Sequence, residues 1–100
     1  RDLILKELDH IPGISCEKPN GAFYVFPNFK KYLNSKSSKG SMIKTSSDLS
    51  LYILASTGVV TVAGDSFGAP FNIRLSYATS DENIIQACKL INRALSELKN

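Results

Sequence analysis

The sequence predicts an α+β domain: a small, mainly antiparallel sheet of about three strands packed against helices. Three patterns carry that expectation. Ile84, Cys88, Ile91, Leu95 and Leu98 recur at helical spacing and mark one apolar face of a C-terminal helix. Ile73, Leu75 and Tyr77 alternate with Arg74, Ser76 and Ala78, which is the period of a strand. Ala22-Phe23-Tyr24-Val25-Phe26 is a run of aromatic and β-branched residues closed by Pro27.

Taken in chain order, residues 1–9 read as the end of a helix, with Ile4 and Leu8 on one face and Pro12-Gly13 closing it. Its uncapped start suggests that something precedes it. Ile14 to Cys16 is expected as a short strand, and Pro19-Asn20-Gly21 as a turn. In the strand 22–26, Ala22, Tyr24 and Phe26 face one way and Phe23 and Val25 the other. Both faces are apolar, so cover is expected on both. Residues 30–46 read as a long, mobile Lys/Ser-rich loop with a short helix near Tyr32-Leu33. Residues 48–57 read as a well-buried helix with Ser47 as N-cap, Asp48 in the first turn and Gly58 just past the end. Val59–Ala63 is the second strand, 64–70 a tight connection and 72–78 the third strand. Thr79 and Glu82 have the spacing of a capping box for the last helix.

Length and composition bound the class. One hundred residues with 43% hydrophobic and 21% charged side chains make one domain with a real core. Four Pro and six Gly exclude collagen-like and disordered chains, and no internal repeat is visible. The net charge of +3 is concentrated at Lys30, Lys31, Lys36, Lys39 and Lys44, a segment with no acid. Such a segment can attract phosphate, but a solvated loop explains it more simply. Two cysteines, Cys16 and Cys88, are too few for a stapled secreted scaffold, and two thiols in a reducing cytoplasm are expected. A structural zinc site would need ligand spacing that is absent. The longest uncharged stretch, between Asp48 and Asp65, is 16 residues interrupted by Ser, Thr and Gly, too short and polar for a bilayer span. No signal-peptide pattern is read.

Several motifs could carry chemistry. Gly64-Asp65-Ser66-Phe67-Gly68 fits G-x-S-x-G, but that nucleophile elbow needs a following helix and a later histidine. Here Ala69-Pro70 and a strand follow, and His10, the one histidine, precedes it, so a glycine-rich turn is the better account. The aromatic strand is similar to a base-stacking strand of an RNA-recognition motif, but Asn20 replaces the expected basic residue and core packing explains it better. Arg74 is the most informative residue. It sits mid-strand beside the small residues Ser76 and Ala78, where a guanidinium fork could take a carboxylate bidentately. An ordinary exposed strand arginine is the simpler reading of the pattern alone. Lys6, Lys89 and Lys99 read as solvated helix charges, and Tyr24, Tyr52 and Tyr77 as core or rim aromatics.

Three segments in order change that balance: Gly21-Ala22-Phe23-Tyr24-Val25-Phe26-Pro27, Gly58 through Gly68, and Ile73-Arg74-Leu75-Ser76-Tyr77-Ala78-Thr79-Ser80. Together they resemble the C-terminal part of class I/II pyridoxal-phosphate aminotransferases, in the aspartate aminotransferase-like branch, over nearly the whole chain. The resemblance implies aminotransferase fold type I, with residues 1–100 forming a single C-terminal small-domain segment and the large cofactor-binding domain absent. It implies that Arg74 pairs with the substrate α-carboxylate and, more weakly, that Phe23 lines the active site. It implies amino acid and 2-oxo acid substrates and a homodimeric full-length enzyme, with no membrane or nucleic-acid partner. Ala63 stands where the family often has Pro. Nothing matches the Ser-x-x-Lys segment of the Schiff-base lysine, the Asp of the pyridine nitrogen or the phosphate cradle. No catalytic residue is therefore expected here. Pyridoxal 5'-phosphate belongs to the full-length enzyme, none is expected to bind this chain, and the isolated chain is expected to be inactive. Two alternatives remain at this point: a stand-alone α+β module for a carboxylate or phosphate ligand, and RNA binding through the lysine segment.

Overall fold

Apolar periodicity decides the helices, and the helices decide where the sheet can lie. A computed structural model describes residues 2–16, 24–76 and 79–99. Helix α1 spans Asp2–Asp9 and turns Ile4 and Leu8 inward. Helix α2 spans Ser46–Thr57 and α3 spans Asp81–Ser96. On α3 the buried residues are Ile84, Cys88, Ile91 and Leu95, as their spacing predicts, together with Ala94; Leu98, expected on the same face, lies past the helix end and is half-buried. The expected turn at 19–21, and Phe23, Tyr77 and Ala78, lie outside the described residues.

Five short strands accompany the helices: β1 (Tyr24–Val25), β2 (Ser35–Lys36), β3 (Met42–Ile43), β4 (Val62–Ala63) and β5 (Ile73–Ser76). Three of them form an antiparallel sheet in the order β1-β5-β4. Tyr24 pairs with Ser76 and Val25 with Leu75 on one edge of β5; Val62 pairs with Arg74 and Ala63 with Ile73 on the other. The α+β class with its small antiparallel sheet is therefore as the sequence predicts. The second strand is shorter than expected, and Ile14–Cys16 contributes only a single bridge, Ser15 to Asn28.

Residues 30–46 depart most from expectation. The short helix expected near Tyr32-Leu33 is present as a 3-10 turn at Lys30–Tyr32, but the antiparallel hairpin β2-β3 follows in place of a long loop. The lysines point to solvent, while Leu33, Ser35, Ser37 and Ile43 are buried. Lys36 also exchanges backbone hydrogen bonds with Lys99, at 2.6 and 2.9 Å, so the chain end after α3 extends this hairpin.

One core lies between the inner face of the sheet and the helices. Val25, Ile73 and Leu75 come from the sheet, Leu49 and Ile53 from α2, and Ile11 and Phe29 from the connections. Each buried aliphatic side chain contributes about 1.5–3 kcal/mol relative to exposure. Two burial expectations fail. Helix α2 buries only Ser46, Leu49 and Ile53, while Leu51 and Leu54 face outward. Of the described residues of the expected strand 22–26, Val25 alone is buried, and Tyr24 and Phe26, the latter just past β1, are exposed.

The caps differ by one or two residues from those predicted. Thr45, not Ser47, caps α2: its Oγ1 accepts from the Asp48 N–H at 3.1 Å. The Asp48 carboxylate accepts in return from the Lys44 and Thr45 N–H groups at 3.1 and 3.2 Å. Gly58 ends the helix at φ 78°, the left-handed geometry that suits glycine. On α3 the cap is Ser80, whose Oγ accepts from Asn83 N–H at 3.2 Å, rather than Thr79 with Glu82.

The Lys44 and Thr45 N–H groups hold the Asp48 carboxyl below its ordinary 3.8. A lowered value means that the ionised group stabilises the fold above that ordinary value, and that this contribution disappears as pH falls through the folded value. Asp48→Ala is expected to destabilise by about 0.5–2 kcal/mol at neutral pH, with the penalty fading in strong acid. Urea unfolding of both proteins across that pH range checks it; a pH-independent penalty would contradict the account.

Candidate functional site

Alternation on β5 sends Ile73 and Leu75 into the core and leaves Arg74 half-buried and Ser76 exposed on the opposite, open face. The same face carries Tyr24 opposite Ser76 and Val62 opposite Arg74. The β1 register continues to the Asn28–Asn72 bridge, which brings Phe26 level with Arg74. A guanidinium thus sits mid-sheet between two neighbouring strands. Its Cζ lies 4.4 Å from the centroid of the Tyr24 ring, within cation-π range. A guanidinium that lies over a ring through one flat face still has N–H donors in its own plane with which to meet an acceptor. Among the described residues no carboxylate pairs with it.

The connection from β4 to β5 is held from outside the sheet. Residues Gly64–Gly68 form a 3-10 turn with no helix after it, which removes the nucleophile-elbow geometry. Asp65 instead meets the start of α2. Its carboxylate accepts from Ser47 Oγ at 2.7 and 2.9 Å, and its own N–H donates to Ser46 Oγ at 3.0 Å. Ser50 Oγ lies 2.6 Å from Thr61 Oγ1. These bonds fix β4 against α2, and β4 in turn fixes the side of β5 on which Arg74 lies. Gly64 is required by space: an added Cβ would clash with Ala69 O and stand 2.6 Å from Asn72 O and 2.9 Å from Phe26 Cζ.

Other candidates carry less. Cys88 is buried, and desolvation, with a smaller contribution from the Glu7 charge, pushes its thiol up to about 11. That excludes it as a nucleophile near neutral pH. Neither Cys16 nor Cys88 is in a disulfide. His10 is exposed, 3.8 Å from Glu7 Oε2. No group of three His, Cys, Asp or Glu among the described residues could hold a metal ion. No helix among them is long and apolar enough to cross a membrane. A groove of about 640 Å³ runs between the β2-β3 hairpin and α2, lined by Met42, Leu51, Tyr52 and Asp48 among others. Two of its polar groups are already engaged, Asp48 in the α2 cap and Tyr52 Oη with Ala94 O at 2.7 Å.

The fold and the open face together define a class. The family model for aminotransferase class I and II matches residues 1–91, and the chain belongs to that family. It is similar to the probable aspartate/prephenate aminotransferase of Rhizobium leguminosarum bv. phaseoli, 42% identical over 93% of this chain and 23% of that protein. It is 37% identical, over its full length and 24% of the relative, to the aspartate aminotransferase of Streptomyces avermitilis. In three dimensions it matches the crystal structure of the Rhizobium meliloti aspartate aminotransferase with a TM-score of 0.92 at 36% identity, covering 98% of this chain and 24% of that one. The aromatic aminotransferase of Pyrococcus horikoshii matches with a TM-score of 0.79 at 33% identity, over 97% and 24% of the two chains. The chain therefore spans about a quarter of the length of the relatives it matches.

The family depends on pyridoxal phosphate. The residues described here do not by themselves fit that group. Every described lysine is exposed, and none stands on β1, β4 or β5. Lys30 and Lys31 lie over the Phe71 and Tyr32 rings. Among the described residues the open face offers a guanidinium and hydroxyls, with no amine to form an imine and no acid for a pyridine nitrogen.

Sequence reasoning singled out Arg74 but did not pair it with Tyr24, and it missed the contact of Asp65 with the start of α2. Both depend on pairings between distant segments that no local pattern reports. Phe23, expected beside the active site, lies outside the described residues.

Two outcomes follow. Gly64→Ala is expected to destabilise by about 1–3 kcal/mol, since backbone must shift to admit the methyl; unchanged unfolding would contradict the packing described. Cys88 is expected to resist thiol alkylation at neutral pH until denaturant unfolds the chain, and rapid native-state labelling would contradict its burial.

Proposed function

We propose that this chain is the C-terminal small domain of an aminotransferase that moves an amino group between an aspartate-like amino acid and a 2-oxo acid, and that Arg74 holds the substrate α-carboxylate. One observation carries the reading: the Arg74 guanidinium stands half-buried on the face of the sheet opposite the core, over the Tyr24 ring, and no carboxylate among the described residues pairs with it. The names of the relatives support the substrate class.

A carboxylate meeting two parallel N–H donors is fixed in both position and plane, because each bond is charge-assisted and the fork has one geometry. Holding the carboxylate fixes where the α-amino group of the same molecule lies, which converts an encounter into an oriented approach. The exposed rings of Tyr24 and Phe26 border this face. Their exposure fits a surface that a second, larger domain covers, and closure there would exclude water and strengthen the ion pair. Pyridoxal phosphate and its lysine belong, on this reading, to that larger domain, and the working enzyme is a homodimer. A cytoplasmic location accompanies it.

In the full-length protein, Arg74→Ala is expected to lower kcat/KM for aspartate by about a hundredfold or more, the scale of losing two charge-assisted bonds. Arg74→Lys should recover only part of that, since an ammonium lacks the fork. Steady-state kinetics with purified enzyme check both. A kcat/KM within about twofold of wild type for Arg74→Ala would remove the reading.

A further inference from the structure

We propose that Tyr24 is a positioning residue for Arg74: its ring sets the plane in which the guanidinium offers its donors to a carboxylate. The proposal rests on the carboxylate reading of Arg74 and deepens it.

An arginine on an open strand face has rotamer freedom to lose when it binds. Something must hold it if binding is not to bear that loss in full. Among the described residues of the adjoining strands, Val62, Phe26 and Tyr24 share its face. Val62, directly across on β4, is a small aliphatic side chain without a planar surface. Phe26, level with Arg74 on β1, extends its ring across β5 toward Gly64, where its Cζ occupies the space a Cβ would need. That leaves Tyr24, one diagonal step along β1, and the Arg74 Cζ lies over its ring at 4.4 Å.

Tyr24 is well placed to act as a fixed support. Its own partner is the small Ser76, which gives the ring room to lean along the sheet. The adjacent Val25 is buried against the core and anchors the backbone. The cation lies over the ring, so the contact uses the π surface of Tyr24, and N–H groups directed away from it remain available to a ligand. Stacking and carboxylate binding therefore do not compete, and the first pre-organises the second. The effect belongs to the ring rather than to the phenolic oxygen, so phenylalanine should replace tyrosine and an aliphatic residue should not. Tyr24 is 45% exposed, so truncation opens no core cavity, and isoleucine keeps a residue suited to a strand.

The test uses the full-length enzyme with its cofactor, assayed with aspartate and a 2-oxo acid, and propionate as an unreactive carboxylate competitor. Tyr24→Ile is expected to raise both KM values and the propionate inhibition constant roughly three- to tenfold while kcat stays within about twofold. Tyr24→Leu should behave alike, and Tyr24→Phe should match wild type. In an Arg74→Ala background, adding Tyr24→Ile should change nothing further, because the ring then has no cation to hold. The proposal is overturned if Tyr24→Ile and Tyr24→Leu leave KM and inhibition unchanged, if Tyr24→Phe loses as much as they do, or if the Tyr24→Ile effect survives removal of Arg74. Should Arg74→Ala itself leave KM and propionate inhibition at wild-type values, the carboxylate reading fails and this proposal with it. A weakened Arg74→Ala beside an unaffected Tyr24→Ile removes the positioning role alone.

Discussion

Strand β5 is hydrogen-bonded along both edges, to β1 through Tyr24–Ser76 and Val25–Leu75 and to β4 through Val62–Arg74 and Ala63–Ile73. Double pairing fixes its register, and register fixes which side chains go inward, because a slip of one residue would exchange the two faces. Ile73 and Leu75 then complete the core, and Arg74 is left on the open side with its aromatic neighbours. The same pairings that satisfy the backbone of β5 therefore bring together residues from three distant parts of the chain. The proposed site is a consequence of how the sheet closes on its helices.

The sheet is short, and its edges need support from elsewhere. Helix α2 supplies it on the β4 side. Its first residues, Ser46 and Ser47, bind Asp65, and Ser50 reaches Thr61. An N-terminal helix turn favours a carboxylate through its unpaired N–H groups and its dipole, so Asp65 suits that position electrostatically as well. Tyr52 ties the other side of α2 to α3 through Ala94 O. A binding group carried on strands that are themselves clamped to helices holds its geometry better than one on a loop. That is the physical basis on which a single arginine could orient a substrate.

Much of this architecture was legible in the residues. The repeat from Ile84 to Leu95 named the buried face of α3, and the alternation around Arg74 named the open face of β5. Gly58 marked the end of α2. The failures share a cause: they depend on partners far away in sequence. Lysines and serines made 30–46 look like a loop, but alternate residues of the hairpin turn inward, and its edge pairs with Lys99. Helix α2 is apolar nearly all round, so composition could not show that only Leu49 and Ile53 meet the core. Neighbouring Thr45, Ser46 and Ser47 could each cap α2, and the spacing to Asp48 selects the first. Tyr24 and Arg74 meet only because β1 and β5 pair in one register, and no local pattern in either strand reports it.

The chain belongs to the class I and II aminotransferases and covers about a quarter of its relatives' length. Within that family, Arg74 is proposed to receive a carboxylate with Tyr24 as its support. The most direct measurement is a crystal structure of the full-length protein with cofactor and a bound substrate-like carboxylate. The account predicts two Arg74 N–H donors at about 2.7–2.9 Å from the carboxylate oxygens, with the guanidinium still lying over Tyr24. A carboxylate held by other groups, with Arg74 turned away, would contradict it.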